Sequence, residues 1–468
     1  MENTEAADHR RGEAAATLAR LAWTALGGGA ASVDALHFTG TGALPSAYRT
    51  SDFAAATIGV AALAIVELLQ HHGLRRPPVR IDRRLASMWF NASIRPIGWS
   101  LPAAWDPIAG DYRARDGWIR LHTNAPHHRA AAERVLGAQT DKETMARAVA
   151  GWMKGDLETA IVAAGGCAAE MRSAVEWAAH PQGEAVTREP LVHLAEGSRA
   201  TRQDWHFNAA RPLAGLRVLD LTRVLAGPVA SRCLAGFGAE VLRLDPPDWD
   251  EPAIVPEVTL GKSCARLDLR STKDRTLFED LLSGADILLH GYRPGALAGL
   301  GYDASRRRDL APGLVDVSLD AYGWSGPWAA RRGFDSLVQM SCGLAATGMA
   351  WRQAERPVPL PVQALDHATG YLMAAAAIRG ITQRLERGTG VEARLSLARS
   401  AKLLADAGAA EADPPFAPES PEDLGAAVET TSWGDARRLL PPVAIAGAPM
   451  QWDRPATSLG SAPPRWLG

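Results

Sequence analysis

The C-terminal half of the chain alternates short apolar runs with longer amphipathic segments. Four runs have the length and the Val, Leu and Ile content of buried strands, at residues 216–221, 240–244, 286–289 and 314–319. The segments between them are long enough for helices, which is the pattern of repeated strand–helix–strand units. The pattern therefore predicts a doubly wound parallel α/β sheet of the Rossmann-like type, in which ligands bind beyond the carboxyl ends of the strands.

A different pattern precedes this region. Asp116 and Gly117 form a turn signal inside residues 111–122, which predicts a hairpin, and residues 130–179 show helical periodicity. We interpret residues 105–190 as a smaller α+β domain. A polar linker at 191–211 then leads to the sheet domain at 212–405.

Two long Ala-rich helices begin at aspartates that lie 314 positions apart, Asp52 and Asp366. Each helix is followed by a turn and a short strand, and this shared order predicts a partial internal duplication. Residues 1–104 would then be a helical segment with a degenerate copy of the Asp366 unit, in which Asp52 is a helix cap. Ten prolines in residues 411–468 predict an extended Pro-rich tail over 406–468.

Composition and charge exclude several classes of protein. Lys+Arg number 50 and Asp+Glu number 52, and this net charge of −2 argues against nucleic-acid and membrane-surface binding. The longest apolar run, residues 53–66, is too short to span a bilayer, and residues 1–13 lack the pattern of a signal peptide. We therefore expect a cytoplasmic protein.

Two local patterns resemble a dinucleotide-binding site and a metal site, but their details argue against both. Residues 222–228 lack the G-x-G-x-x-G fingerprint of dinucleotide binding, and Pro228 removes a backbone N–H that a pyrophosphate would use. Coenzyme A stays compatible with a site at the carboxyl ends of the strands. Among His122, His127 and His128, two are adjacent and should point apart. A solvated or capping role is therefore favoured over a metal site.

Asp366 has two interpretations from its local sequence. Aspartate is a preferred N-cap, and this one stands just before an apolar helix. Alternatively, it is a carboxylate nucleophile, which needs no base because an ordinary aspartate is ionised at neutral pH.

Several ordered motifs resemble family III coenzyme A transferases of the CaiB/BaiF type. They lie at residues 212–228, 234–247, 262–270, 285–302, 322–335 and 364–370. Residues 105–190 are similar to the small domain of that family, but here this domain precedes the nucleotide-type domain. The resemblance implies an enzyme that moves coenzyme A between carboxylic acids, with acyl-CoA and free acid as substrates and no permanently bound cofactor or metal. It also implies a homodimer.

By the same resemblance, Asp366 is the catalytic residue. It would attack the thioester to form a mixed anhydride and then an enzyme-bound CoA thioester, assisted by backbone N–H groups at the start of its helix. The residues that match the family's coenzyme A contacts are Leu225, Ala226, Leu267, Asp268, Leu269, Arg270, Gly291, Tyr292, Arg293, Arg331, Arg332, Gly333 and Phe334.

Two alternatives stay open. The first is a racemase of the same family. Such racemases have a histidine where this chain has Phe334, and because phenylalanine cannot move a proton, His367 would have to act as the base instead. The other alternative is an acyl-CoA-binding protein without catalysis, suggested by the rearranged domains.

Overall fold

The computed structural model describes residues 2–200, 205–293, 295–410 and 413–467. Its first region consists of helices and short strands. These are α1 (Glu2–Ala25), β1 (Leu36–Thr39), α2 (Thr50–His71), β2 (Val79–Asp82), α3 (Arg83–Trp89) and β3 (Ile94–Pro96), with a 3-10 turn at Ala30–Ala35.

The next region has a small antiparallel sheet surrounded by helices. Its elements are β4 (Gly110–Ala114), β5 (Gly117–Leu121), α4 (Pro126–Leu136), α5 (Lys142–Val149), α6 (Lys154–Ala163), β6 (Ala168–Glu170), α7 (Ala174–Ala179) and α8 (Pro181–Arg188). Strands β4 and β5 pair antiparallel around Asp116 and Gly117, which confirms the predicted hairpin.

A seven-stranded sheet dominates the remainder. In chain order its elements are β7 (His193–Arg199), β8 (Arg217–Asp220), α9 (Ala226–Gly236), β9 (Glu240–Asp245), α10 (Val255–Val258), β10 (Lys262–Arg266), α11 (Thr272–Ser283), β11 (Ile287–His290), α12 (Ala296–Gly299), α13 (Ala304–Leu310), β12 (Val315–Asp320), α14 (Asp335–Ser341), α15 (Leu344–Trp351), α16 (Ala364–Arg387), β13 (Thr389–Ser396) and α17 (Leu397–Asp406). The strand order is β10-β9-β8-β11-β12-β13-β7, and every pair is parallel except β13 with β7. This confirms the predicted doubly wound α/β fold.

Helices cover both faces of this sheet. On one face, α16 packs against α2 and α9 within the largest apolar cluster. On the other face, Phe278 of α11 and Tyr302 pack over Leu219 and Leu242 of the central strands. The central part of the sheet is thus buried on both sides, which explains why the four strands predicted from the sequence, β8, β9, β11 and β12, are largely apolar runs.

The predicted linker at 191–211 is partly wrong. Residues 193–199 form β7 at the edge of the main sheet, although residues 201–204 lie outside the described ranges. Most of this strand is exposed or only half-buried, so it has no apolar face that a sequence pattern could show. The division into domains stays a prediction.

The C-terminal segment is also more ordered than an extended tail. It contains β14 (Glu429–Thr431), β15 (Gly434–Arg438) and β16 (Val443–Ile445). Strand β15 pairs with β3, and β16 pairs with β2, so the end of the chain completes sheets that its beginning starts. These pairings join segments about 340 to 360 residues apart in the sequence, which no local pattern indicates.

Helix α2 is longer than the apolar run that identified it. By length and composition alone, its 22 residues are sufficient to cross a membrane, so run length by itself does not distinguish a membrane span from a buried helix. However, 94% of its most apolar stretch is buried inside the protein, largely against α16. The two helices also share the order helix–strand–helix, as α2-β2-α3 and α16-β13-α17, while the duplication itself stays a prediction.

Asp52 is the third residue of α2 and is held in a buried ion pair. Its carboxylate contacts Arg83 at 2.7 Å, and the same guanidinium reaches Asp413 at 3.2 Å. Burial raises the pKa of Asp52, and Arg83 opposes that effect. The N-cap position of α2 is Arg49, so Asp52 is not the cap that the sequence predicted.

We expect Arg83→Met to lower the free energy of unfolding by about 3–5 kcal/mol, because it leaves the two carboxylates buried without their cation. Arg20→Met is the matched control, since the Arg20–Asp34 pair is 3.6 Å long and largely exposed. That control should cost less than about 1 kcal/mol. Equal losses in the two variants, measured by denaturant unfolding, would contradict the prediction.

Candidate active site

Two adjoining cavities open at the carboxyl edge of the seven-stranded sheet. The larger has a volume of about 290 Å³ and is lined by ten of the predicted residues: Leu225, Ala226, Gly291, Tyr292, Arg293, Arg331, Arg332, Gly333, Phe334 and Asp366. The smaller has a volume of about 170 Å³ and is lined by the other four: Leu267, Asp268, Leu269 and Arg270. Tyr292 lines both cavities, so the fold brings all the predicted residues to one continuous site. Their contact with coenzyme A stays a prediction.

The loop after β8 forms one wall and is held in a strained conformation. Val224 has a φ of 63°, which is unfavourable for a β-branched residue. Its N–H donates to the Glu251 carboxylate at 2.9 Å, and Glu251 is itself held by the buried Arg243. Gly227 cannot be replaced without a shift, because a Cβ there would lie 2.2 Å from the Thr222 side chain. Anchoring and close packing therefore shape this wall.

Beneath the loop lies a buried polar network. Asp220 accepts hydrogen bonds from the Thr222 N–H at 2.9 Å and from the Lys262 ammonium at 3.2 Å. Burial lowers the pKa of Lys262 to about 8, while Asp220 opposes the shift. Because Lys262 and Asp220 have no exposed side-chain surface, they support the loop from below without reaching a ligand.

Arg223 is a site residue that the sequence analysis missed. It lines both cavities, and its guanidinium lies over the rings of Trp249 and Tyr292, at 4.7 and 4.9 Å from their centroids. It also donates to the Tyr292 hydroxyl at 3.0 Å. The stacking fixes a positive charge at the junction of the cavities. Its place in the loop just after the first sheet-domain strand was the signal that could have identified it.

Asp366 lies on the wall of the larger cavity, at the third position of α16. It is not the N-cap, because that position is Gln363, whose side chain makes no capping bond. Instead, Asp335 caps the helix from α14. One of its carboxylate oxygens accepts the N–H groups of Leu365 at 2.8 Å and of Asp366 at 3.0 Å.

This cap contradicts the prediction that backbone N–H groups at the start of the Asp366 helix assist the reaction. The N–H groups of residues 365 and 366, which were to face a developing oxyanion, are already bound to Asp335. Gln339 donates to the other oxygen of Asp335 and accepts the Leu360 N–H at 2.6 Å. An oxyanion in the cavity therefore needs a different donor.

The electrostatics of Asp366 also differ from the expectation for a free aspartate. Burial raises the pKa of Asp366 well above its usual range, and the neighbouring Asp335 carboxylate raises it further. Burial likewise raises the pKa of Asp335 to about 6, although the N–H of Asp366 and the amide of Gln339 counteract this. Ionisation of Asp366 at neutral pH is consequently not automatic.

Two of the three histidines, His122 and His128, are buried against Phe334, contrary to the solvated or capping role predicted for them, whereas His127 is exposed. The His122 ring stacks on Phe334 with a centroid distance of 3.8 Å, and His128 approaches the same ring edge-on at 5.7 Å. His127 and His128 both line the larger cavity. Burial lowers the pKa of His122 to about 3 and that of His128 to about 4, so both rings are neutral. The small α+β region thus contributes directly to the site.

His367 does not line either cavity. Its ring is fully buried and stacks on Phe90 at 5.1 Å. Its position therefore does not support the role of a second base that the racemase interpretation requires. Within the described ranges, no cluster of three or more His, Cys, Asp or Glu side chains has an arrangement suited to a metal ion.

Comparison with known proteins finds relatives that are similar to this chain in sequence. Residues 213–433 match the sequence model of CoA-transferase family III. An acetyl-coenzyme A transferase of Hypoxylon pulicicidum is 37% identical over 185 residues, which are 38% of this chain and 31% of that protein. The succinyl-CoA:glutarate CoA-transferase of Homo sapiens is 30% identical over 199 residues, or 40% of this chain and 45% of that protein.

A probable fatty acyl-CoA transferase of Mycobacterium tuberculosis is 32% identical over 195 residues, which are 39% of this chain and 49% of that protein. A crystal structure of a hypothetical protein from the same organism is 30% identical, with a TM-score of 0.38 and coverage of 42% of this chain and 56% of that one. The chain spans about half the length of these curated relatives or less. Residues 213–433 of this chain are thus similar in sequence to CoA-transferase family III.

Proposed function

We propose that this protein transfers coenzyme A from an acyl-CoA to a carboxylic acid through a covalent intermediate on Asp366. The supporting observation is the position of this side chain. Asp366 lies in a 290 Å³ cavity with nine residues that match the family's coenzyme A contacts. A buried carboxylate beside a site for a CoA thioester is suited to nucleophilic attack on the thioester carbonyl.

The proposed chemistry balances without an added proton or metal. An Asp366 oxygen forms a bond to the thioester carbon, and the carbon–sulfur bond breaks to give a mixed anhydride and CoA thiolate. The thiolate then attacks the carbonyl carbon of Asp366 and releases the free carboxylate, which leaves CoA bound to the enzyme as a thioester. An acceptor carboxylate reverses these steps and departs as the new acyl-CoA.

Charge in the cavities suits an anionic substrate. Four arginines line the larger cavity, Arg223, Arg293, Arg331 and Arg332, and Arg270 lines the smaller one. Arg331 is committed to Glu158 at 3.0 Å, and Arg270 is paired with Asp268 at 2.7 Å. Arginines are effective partners for phosphate and carboxylate groups.

Two relatives are named as transferases between succinyl-CoA and a second dicarboxylic acid, glutarate or D-citramalate. We therefore propose dicarboxylic acids among the candidate substrates.

A racemase and a non-catalytic acyl-CoA-binding protein are the alternatives. In the racemase reading, Phe334 cannot act as a base, and His367 lies outside the cavity linings. Neither alternative requires a stable bond between coenzyme A and Asp366, so the covalent adduct discriminates among the three. A homodimer is a further proposal that rests on the family resemblance, and a cytoplasmic location is a proposal that rests on the sequence pattern alone.

We expect incubation with acetyl-CoA, isobutyryl-CoA or succinyl-CoA to label the peptide that carries Asp366. Trapping with hydroxylamine or borohydride and peptide-mapped mass spectrometry would detect the adduct. The label should disappear in Asp366→Asn, which cannot form the anhydride. Asp52→Asn is the matched control, because Asp52 has the same position in α2 but is paired with Arg83. Binding of coenzyme A without any label on Asp366 would contradict the proposal.

The rate of adduct formation should rise with pH through the neutral range, because the attacking group is ionised Asp366 and its pKa is raised by burial and by Asp335. Asp335→Asn removes one negative charge and keeps an acceptor oxygen for the N–H groups. This variant should lower the pKa of Asp366 and therefore move the rising limb of the profile to lower pH. Single-turnover rates across the pH range measure the shift, and an unchanged limb would exclude control by Asp335.

Arg223→Ala should weaken the binding of coenzyme A by about tenfold, because it removes the stacked cation at the junction of the two cavities. Titration calorimetry with coenzyme A measures the affinity. Arg20→Ala removes a half-exposed arginine that lines neither cavity and should leave the affinity unchanged. Identical affinities for both variants would remove Arg223 from the binding site.

A further inference from the structure

Asp320 is a second aspartate on the wall of the larger cavity, and it has no role in the steps described above. It is the last residue of β12, at the carboxyl end of a central strand, and it is only 7% exposed. Its Oδ1 accepts the Gly323 N–H at 2.8 Å. Its Oδ2 is buried and meets no hydrogen-bond partner in the described part of the chain.

Burial with one hydrogen bond disfavours the ionised form of this carboxyl. Burial raises the pKa of Asp320 to about 8, and the Glu189 carboxylate contributes to the rise. The other charged or titratable groups that line the cavity are Asp366, Arg223, Arg293, Arg331, Arg332, Tyr292, His127 and His128. At neutral pH the side chain is therefore mainly a neutral acid. Because Oδ1 is occupied as an acceptor, the hydroxyl resides on Oδ2.

We infer that Asp320 is a substrate-contacting residue whose carboxyl donates a hydrogen bond from Oδ2 to an acyl oxygen held in the cavity with Asp366. The acyl oxygen belongs either to the thioester carbonyl or to the carboxylate of the free acid. This inference rests on the proposed function. It deepens that function by assigning a donor for the oxygen on which negative charge develops.

The arrangement of the other donors explains why such a residue is needed. The N–H groups at the start of α16 are bound to Asp335, so they do not face the cavity as free donors. A neutral acid supplies a donor and adds no negative charge near Asp366, whose ionisation is already opposed by Asp335. A buried carboxyl that stays protonated at neutral pH is an established type of oxyanion donor in enzymes.

Asp320→Asn and Asp320→Ala distinguish this role from a structural one. Asparagine retains an acceptor for the Gly323 N–H and places an N–H where the hydroxyl was, so it mimics the neutral acid at every pH. We expect it to form the Asp366 adduct at close to the wild-type rate at pH 7. Alanine has no donor and should slow at least one half-reaction by about tenfold or more. Thermal unfolding of each variant shows whether it is folded.

The pH profile is the discriminating measurement. Wild-type activity should fall above about pH 8, as Asp320 loses its proton, and Asp320→Asn should lack this fall. Lys262 also has a pKa of about 8, so the fall is assigned to Asp320 only if it disappears in the asparagine variant. A fall that persists in Asp320→Asn, or an alanine variant as active as wild type, overturns the inference.

Separate half-reactions identify the acyl oxygen. If Asp320→Ala slows the labelling of Asp366 by an acyl-CoA that labels wild type, the hydrogen-bond acceptor is the thioester carbonyl. If Asp320→Ala instead slows the discharge of the labelled enzyme by the corresponding free acid, the acceptor is the incoming carboxylate. An infrared difference spectrum of wild type minus Asp320→Asn should show a protonated carboxyl at pH 7, and its absence overturns the inference without reference to activity. If wild type forms no adduct at all, the proposed function fails, and the inference fails with it.

Discussion

The carboxylate of Asp335 holds the first turn of α16, and the position of Asp366 depends on that contact. The side chain comes from a separate helix, α14, and accepts the N–H groups of two consecutive residues at the start of the Asp366 helix. Gln339, one turn further along α14, binds both Asp335 and the backbone of Leu360. The same carboxylate that positions Asp366 also opposes its ionisation. Asp335 therefore influences both the geometry and the ionisation of the proposed nucleophile.

Close backbone packing explains why the motifs around this contact contain glycine. A Cβ at Gly370 of α16 would lie 2.4 Å from the carbonyl oxygen of Ala226 in the opposite wall. The loop that contains Ala226 is held on its other side by the hydrogen bond from Val224 to Glu251. Because interiors are densely packed, a larger residue at Gly370 would displace the wall that matches the family's coenzyme A contacts. The glycine of the Asp366 motif is therefore explained by close packing, in addition to the chemistry proposed for the aspartate.

The order of regions along the chain does not prevent assembly of the site. The small α+β region precedes the sheet region, yet His127 and His128 line the same cavity as Asp366. Glu158 from the small region binds Arg331 at 3.0 Å, which ties the two regions together at the cavity wall. In the two smaller sheets that join the ends of the chain, β15 pairs with β3 and β16 pairs with β2. Spatial proximity here depends on long-range pairing, and so the linear order of the segments is a poor guide to it.

The sequence by itself determined the sheet, because its strands are buried on both faces and appear as apolar runs at 216–221, 240–244, 286–289 and 314–319. The resemblance of its ordered motifs to a known family also pointed to Asp366 and to thirteen residues matched to coenzyme A contacts, which line the two cavities and whose roles stay predictions. Strand β7 escaped prediction because an exposed edge strand has no apolar face. Only the tertiary structure showed three further features. Asp335 caps α16, Arg223 stacks on two aromatic rings, and Oδ2 of Asp320 has no hydrogen-bond partner among the described residues. Each depends on which side chains surround a buried charge, and desolvation by residues distant in the sequence leaves no trace in a local pattern.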